Sequence, residues 1–311
     1  MIEVDSLTKQ YDGTTVVDQV SMTVERGSIA VIVGTSGSGK STLLRMINRL
    51  VEPTAGRVLI EGMDASLTPA YQLRRRIGYV IQGHGLFPHR TVAENIATVP
   101  TLLGWAPDRI KAKVAELLRI YQLDPAEYGP KFPHQLSGGQ QQRVGVARAL
   151  AAEPPVLLMD EPFGALDPII RAKAQDDLLD VQRRFATTIV LVTHDMDEAF
   201  RLGHCVGVMS NGRMLQYDRP TTLLTRPADP FVSQLTGTSD RALRLLSLIT
   251  AGEAAVPGLG AGPAVPSSAS LRDVLSDLLW SGSPQATVLG PDGLPAGHLS
   301  VGDILARARP A

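Results

Sequence analysis

The chain has 311 residues, 44% of them hydrophobic, and a formal net charge of −1. This length allows one large domain and a smaller one. Because neither the net charge nor any tract is strongly basic, we expect no binding to nucleic acid. Cys205 is the single cysteine, which excludes a disulfide framework within the chain. No apolar run approaches the roughly 20 residues that span a bilayer, and we expect no signal peptide.

The N-terminal part of the chain predicts strands. A short strand at Ile2–Val4 is followed by Asp12-Gly13, a strong signal for a hairpin turn. The run Ser28–Val33 is continuously apolar and of strand length, as expected for a parallel strand that is buried on both faces.

A phosphate-binding motif follows this buried strand. The sequence G-T-S-G-S-G-K-S over Gly34–Ser41 fits the P-loop pattern G-x-x-x-x-G-K-[ST]. Apolar residues recur at helical spacing beyond Lys40, so a helix is predicted to start at the loop with its positive end facing a phosphate. Lys40 would reach the β- and γ-phosphates, and Ser41 would ligate Mg²⁺. The candidate phosphate-binding residues are Gly34, Thr35, Ser36, Gly37, Ser38, Gly39, Lys40, Ser41 and Thr42.

The segment from Gly83 to about Ala152 is predicted to be mostly helical. Within it, Ser137-x-x-Gln140 has the spacing of a capping box and opens a helix at the glycines Gly138 and Gly139. Such a helix start presents free N–H groups and a positive dipole to an anion. An ordinary capped surface helix is the alternative that the residues alone leave open.

Polar residues stand at the ends of three predicted buried strands. Gln82 follows the first, Asp160 and Glu161 follow the second, and His194 follows the third. In open α/β sheets ligands bind beyond the carboxyl ends of the strands, so these side chains are expected to converge on the P-loop. Taken singly, His194 and Gln82 are more simply a surface histidine and a strand-end glutamine; their register with a P-loop favours a functional site.

The composition changes toward the C-terminus. We predict a first domain over 1–246 and a flexible linker over 247–270, because Gly252–Ser270 is rich in Gly, Ala, Pro and Ser. The segment 271–311 predicts a helix, two short strands and a last helix capped by Ser300.

The series of motifs resembles the nucleotide-binding domain of ABC transporters. It comprises the P-loop, the sequence L-S-G-G-Q at Leu136–Gln140, the pair Asp160-Glu161, and His194. The resemblance implies an α/β fold of the P-loop NTPase class, with a RecA-like core, an antiparallel β subdomain and a helical subdomain over about 83–152. It also implies that ATP and Mg²⁺ are bound, and that the protein is an ATPase.

The resemblance further implies roles at the reacting phosphate. Asp160 holds Mg²⁺ through water, Glu161 is the general base, and His194 contacts the γ-phosphate. Gln82 contacts the metal or the water, and it also reports on a membrane partner.

Other residues match the family's contacts to nucleotide. Ser137, Gly138, Gly139 and Gln140 would bind the γ-phosphate held by a second copy of the chain, so that two ATP molecules lie in a head-to-tail dimer. Asp167, in the D-loop sequence Ala165-Leu166-Asp167, would line the same interface. Tyr11 would stack on adenine, the alternative being a tyrosine that packs on its own hairpin.

Sequences in the middle of the chain are similar to a narrower group, the ATPase subunits of osmoprotectant importers of the OsmV type. They include Met46–Leu50, Gly85–His89, Asn95–Pro100 and Pro133–Leu136. This group serves glycine betaine, choline and other quaternary amines, and the helix–strand–strand–helix order over 271–311 resembles its single CBS motif. The implied partners are transmembrane permease subunits and, indirectly, a substrate-binding protein. The implied location is peripheral, at the cytoplasmic face of the membrane.

Other functions remain open from the sequence. The chain could serve an importer or exporter of an unrelated solute, because the residues that select the solute lie on other subunits. A soluble ABC protein usually has two such domains or a long coiled-coil insert, and this chain has neither. A catalytically inactive module is disfavoured by the presence of Lys40, Glu161 and His194. The sequence Gly83-His84-Gly85 departs from the family, where a bulkier residue usually follows Gln82.

Overall fold

A computed structural model describes residues 1–83, 85–164, 166–237, 240–258 and 260–309. The chain divides into two units, Met1–Tyr217 and Asp218–Ala311. Within the described residues, no helix is long and apolar enough to cross a membrane.

The first unit contains two sheets. Its strands are β1 (Ile2–Tyr11), β2 (Thr14–Val24), β3 (Ile29–Gly34), β4 (Ala55–Ile60), β5 (Met63–Asp64), β6 (Ile77–Val80), β7 (Val156–Asp160), β8 (Thr188–Val192), β9 (Cys205–Ser210) and β10 (Arg213–Asp218). Its helices are α1 (Lys40–Ile47), α2 (Ala70–Arg75), α3 (Val92–Leu102), α4 (Pro107–Ile120), α5 (Pro125–Tyr128), α6 (Gly138–Leu150), α7 (Pro168–Phe185) and α8 (Met196–Leu202).

The N-terminal sheet is antiparallel and has the strand order β2-β1-β4-β5. The predicted hairpin turn joins β1 to β2, and both of its residues have positive φ, 47° at Asp12 and 80° at Gly13. Two positive φ values are what a type I′ turn requires. Apolar side chains alternate along β1 and β2, so one face of this sheet packs into the main hydrophobic core.

The core sheet has the strand order β10-β9-β3-β8-β7-β6, and β6, β7, β8, β3 and β9 run parallel. Every residue of β3, β7 and β8 is buried, as expected for strands covered on both faces. All carboxyl ends of the parallel strands therefore lie at one edge, where the P-loop follows β3. Between β6 and β7 the chain forms α3 to α6, within the range 83–152 that the sequence predicts to be mostly helical.

The second unit is built around a small sheet. Its elements are α9 (Pro220–Thr225), α10 (Pro230–Leu235), α11 (Arg241–Ser247), α12 (Ala251–Ala254), β11 (Ala264–Pro266), α13 (Leu271–Ser281), β12 (Gln285–Leu289), β13 (Pro295–Ser300) and α14 (Val301–Arg307). The strand order is β11-β12-β13; β11 is parallel to β12, and β12 is antiparallel to β13. The helices and strands predicted beyond residue 270 are present.

The segment 247–270 differs from the flexible linker that its composition predicts. It contributes α12 and β11, and Ala251, Ala254 and Val265 belong to the core of the second unit. A Cβ on Gly262 would overlap the Gln285 carbonyl oxygen. The glycines here serve close packing of the backbone against the sheet, which composition alone does not distinguish from flexibility. The division of the chain correspondingly falls after Tyr217 rather than at residue 246.

Candidate functional site

The P-loop wraps around the ammonium group of Lys40. Nζ of Lys40 donates to the carbonyl oxygens of Gly34 at 2.9 Å and Thr35 at 2.8 Å, and to Ser38 Oγ at 3.4 Å. Burial lowers the pKa of Lys40, while the charges of Glu161 and Asp160 oppose that shift. A phosphate oxygen could take the place of these loop oxygens, because an ammonium donates in three directions.

Two glycines allow the P-loop to approach its neighbours closely. At Gly34, φ is +154° and a Cβ would overlap the carbonyl oxygen of Met209. At Gly39, φ is +97° and a Cβ would lie 2.5 Å from the Val16 carbonyl oxygen. A side chain at either position would push the loop off β9 or β2, so the loop geometry depends on glycine.

Two oxygen-bearing side chains meet beneath the P-loop. Ser41 Oγ donates to Asp160 Oδ1 at 2.8 Å, and Asp160 is 1% exposed. Oδ2 of Asp160 is buried and has no hydrogen-bond partner among the described residues, although Arg45 Nη2 lies 3.8 Å away. A buried carboxylate oxygen without a donor is costly.

This donor set fits Mg²⁺, which prefers oxygen ligands and usually keeps waters and phosphate oxygens in its coordination shell. Within the described residues, no group of three or more His, Cys, Asp or Glu side chains could hold a metal by itself. The Ser41 hydroxyl and the Asp160 carboxylate therefore suit an ion that arrives with a nucleotide.

Gln82 and His194, each at the end of a strand, both approach the carboxylate of Glu161. Gln82 Nε2 donates to Glu161 Oε2 at 3.2 Å, and His194 Nδ1 lies 3.7 Å from Glu161 Oε1. The backbone N–H of Glu161 donates to the Val192 carbonyl at 2.9 Å, which ties the end of β7 to β8. Glu161 has φ +46°, a strained value for a residue with a side chain.

Ser137–Gln140 form the start of α6 as predicted. Gln140 N donates to Ser137 Oγ at 3.4 Å, and Ser137 N donates to Gln140 Oε1 at 2.9 Å. Gly138 is exposed, and a Cβ on Gly139 would lie 2.8 Å from Ile170 Cγ2. Among the described residues no hydrogen bond or ion pair joins this helix start to the P-loop.

Asp167 and Tyr11 lie in surroundings other than those of Gln82, Glu161 and His194. Asp167 caps α7, where its Oδ1 accepts from Ile169 N and Ile170 N at 3.1 Å each. Tyr11 is 44% exposed at the end of β1, and Lys9 Nζ lies 4.8 Å from its ring centre.

Two residues of the predicted motifs lie outside the part of the chain that the structure describes, and two others were not predicted from the sequence. His84 and Ala165 lie outside the described residues. Arg45, beside Asp160, and a buried Glu198 on α8 were not predicted to belong to this region. The spacing Asp195-x-x-Glu198, an N-cap acid followed by a glutamate at the third helical position, was the available signal.

The parallel sheet and the loop after β3 define a nucleotide-binding protein of the P-loop class. A family model described as ABC transporter matches residues 17–164. The glycine betaine uptake system ATP-binding protein YehX of Escherichia coli K12 is 46% identical over 309 residues, which are 99% of this chain and 100% of that protein. The osmoprotectant import ATP-binding protein OsmV of Salmonella typhimurium is 44% identical, over 96% of this chain and 79% of that protein.

A solved structure agrees with these sequence matches. The dimeric ATP-binding cassette MJ0796, in a post-hydrolysis state with ADP and Pi, is 31% identical with a TM-score of 0.64, over 70% of this chain and 98% of that one. The chain therefore belongs to the ABC transporter family and is one of its ATP-binding ATPase subunits. This confirms the family and the fold class predicted from the motifs.

Proposed function

We propose that the chain is the ATP-hydrolysing motor subunit of an importer for osmoprotectants such as glycine betaine or choline. The names of the relatives that match nearly the whole chain support this solute class. The observation that carries the hydrolytic role is the carboxylate of Glu161, held between Gln82 and His194. It lies at the strand edge that also carries Lys40 and Asp160.

In the proposed reaction, a water oxygen attacks the γ-phosphorus and the bond to the β–γ bridging oxygen breaks, releasing ADP and phosphate. Glu161 accepts a proton from the water, and Gln82, which lies beside Glu161, orients that water. Lys40 neutralises charge on the β- and γ-oxygens, and His194 donates to the γ-phosphate. Ser41 and Asp160 would hold Mg²⁺, which would supply further charge neutralisation there.

Two copies of the chain would complete two sites. Among the residues that the structure describes, the helix start at Ser137–Gln140 makes no hydrogen bond to its own P-loop, and its exposed Gly138 leaves backbone N–H groups accessible. In a head-to-tail dimer these groups would bind the γ-phosphate on the partner, with Asp167 at the same interface. The dimeric arrangement of the related MJ0796 cassette supports this.

Tyr11 is proposed to stack on the adenine. It pairs with Thr14 across the β1–β2 hairpin, and the Val16 carbonyl further along β2 lies against Gly39 of the P-loop. This places the start of β2 beside the phosphate-binding loop, and the half-exposed ring at the hairpin end is free to present a face to a base.

A groove between α3, α4 and α5 supports a permease partner. Its volume is about 710 Å³, and mostly apolar residues line it, among them Ala97, Trp105, Ile110 and Val114. A cytoplasmic helical segment of a permease would fill it by its apolar face. Docking there would hold the subunit at the cytoplasmic face of the membrane, with a substrate-binding protein acting on the opposite side.

The second unit is proposed to contain a single CBS-like motif over 271–311; a structural tail without a ligand is the alternative.

Glu161→Gln tests the hydrolytic role. The amide keeps the shape and reach of the side chain but cannot accept the proton, so turnover should fall about 10²- to 10⁴-fold. Nucleotide binding should survive, and an ATP-bound dimer should accumulate in size-exclusion chromatography. Glu52→Gln, the same change at an exposed ion pair with Arg49, serves as the matched control. Near-normal turnover in Glu161→Gln would remove Glu161 from this role.

The solute class needs the assembled transporter. The chain should be co-purified with its permease, reconstituted in liposomes with the substrate-binding protein, and assayed for ATP hydrolysis and uptake. Glycine betaine or choline should stimulate both, whereas a neutral amino acid should not. Stimulation only by an unrelated solute would keep the motor function and refute the osmoprotectant assignment.

A further inference from the structure

A buried hydrogen bond joins α7 to α8, the helices that follow Glu161 and His194 in the chain. Gln175 Nε2 on α7 donates to Glu198 Oε1 on α8 at 3.1 Å, and both residues are 5% exposed. The two helices are therefore fixed to each other by polar side chains inside the protein rather than at its surface.

A second contact fixes the start of α8. Asp195 Oδ1 accepts from the backbone N–H groups of Asp197 at 2.9 Å and Glu198 at 3.1 Å, which caps the helix directly after His194. Arg171 Nη1 on α7 lies 3.6 Å from Asp195 Oδ2, and its Nη2 donates to the Leu166 carbonyl at 3.0 Å. The first turn of α7 thus contacts Asp195, the residue directly after His194.

The cost of this arrangement suggests that it does more than stabilise the fold. Burial raises the pKa of Glu198, against the hydrogen bonds from Thr193 and Gln175, which lower it. An apolar pair of similar volume at a buried helix contact is commonly as stable as a buried charged group, or more stable. A hydrogen bond, unlike an apolar contact, fixes the distance and direction between the two helices.

The distances at the reacting carboxylate make such a constraint useful. His194 Nδ1 lies 3.7 Å from Glu161 Oε1, and each residue stands where a strand leaves the sheet. Beyond these residues, the chain runs into α7 on one side and α8 on the other. A shift of about 1 Å in a catalytic group can cost about 10²-fold in rate.

We propose that Glu198 and Gln175 are positioning residues for ATP hydrolysis, holding His194 at its working distance from Glu161 through the α7–α8 contact. This inference rests on the proposed roles of Glu161 and His194. Neither Glu198 nor Gln175 contacts nucleotide in it; both act through the loop that carries His194.

Three variants separate positioning from stability. Glu198→Met keeps the unbranched shape but removes the hydrogen bond, and Glu198→Gln keeps an oxygen that can accept from Gln175. The matched control is Gln182→Met, which removes another buried glutamine of α7 whose Nε2 donates to the Gly27 carbonyl rather than to a side chain of α8. Thermal unfolding, ATP affinity, kcat and KM are measured for each full-length variant.

For Glu198→Met we expect kcat to fall about 10- to 100-fold, with KM for ATP within about threefold of wild type. Its loss of thermal stability should be no greater than that of Gln182→Met, because each change leaves one buried polar group without its partner. Glu198→Gln should restore kcat to within about threefold. Gln182→Met should lower stability and leave kcat unchanged. A wild-type kcat in Glu198→Met, or an equal fall in Gln182→Met, overturns the proposal.

A double-mutant cycle tests whether Glu198 acts through His194. In the His194→Ala background, Glu198→Met should cause no further loss in single-turnover hydrolysis. A fully additive loss overturns the positioning role. Glu161→Gln keeps the two hypotheses apart: if it is inactive while Glu198→Met is fully active, only the positioning inference fails. If Glu161→Gln turns over normally, the proposed site itself fails.

Discussion

Lys113 places a buried cation at the junction between the helical segment and the core. Its Nζ lies 2.8 Å from Glu153 Oε1 and 3.0 Å from Glu116 Oε2, and 5.0 Å from the centre of the Phe185 ring. The Lys113 side chain is 8% exposed, whereas those of Glu153 and Glu116 are 49% and 35% exposed. Water can therefore reach both acids but hardly reaches the Lys113 side chain.

This asymmetry predicts unequal costs for removing the two signs of charge. In Lys113→Met the stem and its packing remain, and both acids stay in contact with water and with an arginine, Glu116 with Arg184 at 2.9 Å and Glu153 with Arg109 at 3.6 Å. The free energy of unfolding should therefore fall by only about 0–1 kcal/mol. Replacing both Glu116 and Glu153 by Gln leaves the ammonium buried without a counter-charge. Breaking a fully buried pair costs about 3–5 kcal/mol, and amide oxygens that still accept from Nζ should reduce this to about 2–3 kcal/mol.

Trp105 provides a local signal for the measurement. The chain has two tryptophans, so Trp280→Phe leaves Trp105 as the only one. Its ring centre lies 3.4 Å from the Arg109 guanidinium, which itself lies 3.6 Å from Glu153. Urea unfolding followed by its fluorescence should show a midpoint about 1 M lower in the Glu116→Gln/Glu153→Gln variant.

The midpoint of Lys113→Met should change little, and adding Lys113→Met to the double glutamine variant should recover most of the loss. Equal losses in Lys113→Met and in the double glutamine variant would refute the reasoning from burial.

Three further predictions follow from particular contacts. Gly138→Trp should leave ATP binding by the monomer intact but abolish ATP-dependent dimerisation and hydrolysis, as measured by light scattering and phosphate release. The fragments 1–253 and 1–217 should both hydrolyse ATP. The fragment 1–253 should bind more of the dye ANS than the fragment 1–217, because 1–253 retains only part of the core of the second unit. Hydrogen bonds from Ser300 lower the pKa of Asp303. The stability that these hydrogen bonds add is present above the pKa of an aspartate in the unfolded chain, about 3.9, and is lost as the pH falls through the lower pKa of the folded state. In Ser300→Ala the stability should therefore fall less steeply with decreasing pH; an unchanged slope would contradict this.

The parts of the site that could be predicted from sequence depend on short, local patterns. The P-loop is recognisable because glycine spacing, a preceding buried strand and a following helix are all local. The convergence of Gln82, Glu161 and His194 was predictable because parallel strands end at a common edge. Both follow from rules that need no knowledge of which side chains touch.

The parts that could not be predicted depend on contacts between distant segments. The pairing of Gln175 with Glu198 joins two helices, and neither sequence marks the other as its partner. The Gly- and Ala-rich segment 247–270 was expected to be flexible because it is poor in large apolar residues. In the structure the backbone near Gly262 instead packs closely against Gln285.

The proposed nucleotide site combines features that each work against the stability of the fold. Lys40 is a buried cation, Asp160 has a buried oxygen with no hydrogen-bond donor among the described residues, and Glu161 holds a strained backbone angle. All three lie at the carboxyl edge of a sheet in which β3, β7 and β8 are fully buried, and the apolar burial of these strands supplies stability that offsets them. A phosphate on Lys40 and a cation on Asp160 would satisfy two of the three groups at once. A ligand that binds only the folded state adds about 2.7 kcal/mol of stability at a hundredfold excess over its dissociation constant. If Mg²⁺ binds at Asp160 as proposed, ATP added with Mg²⁺ should therefore raise the unfolding temperature more than ATP added alone.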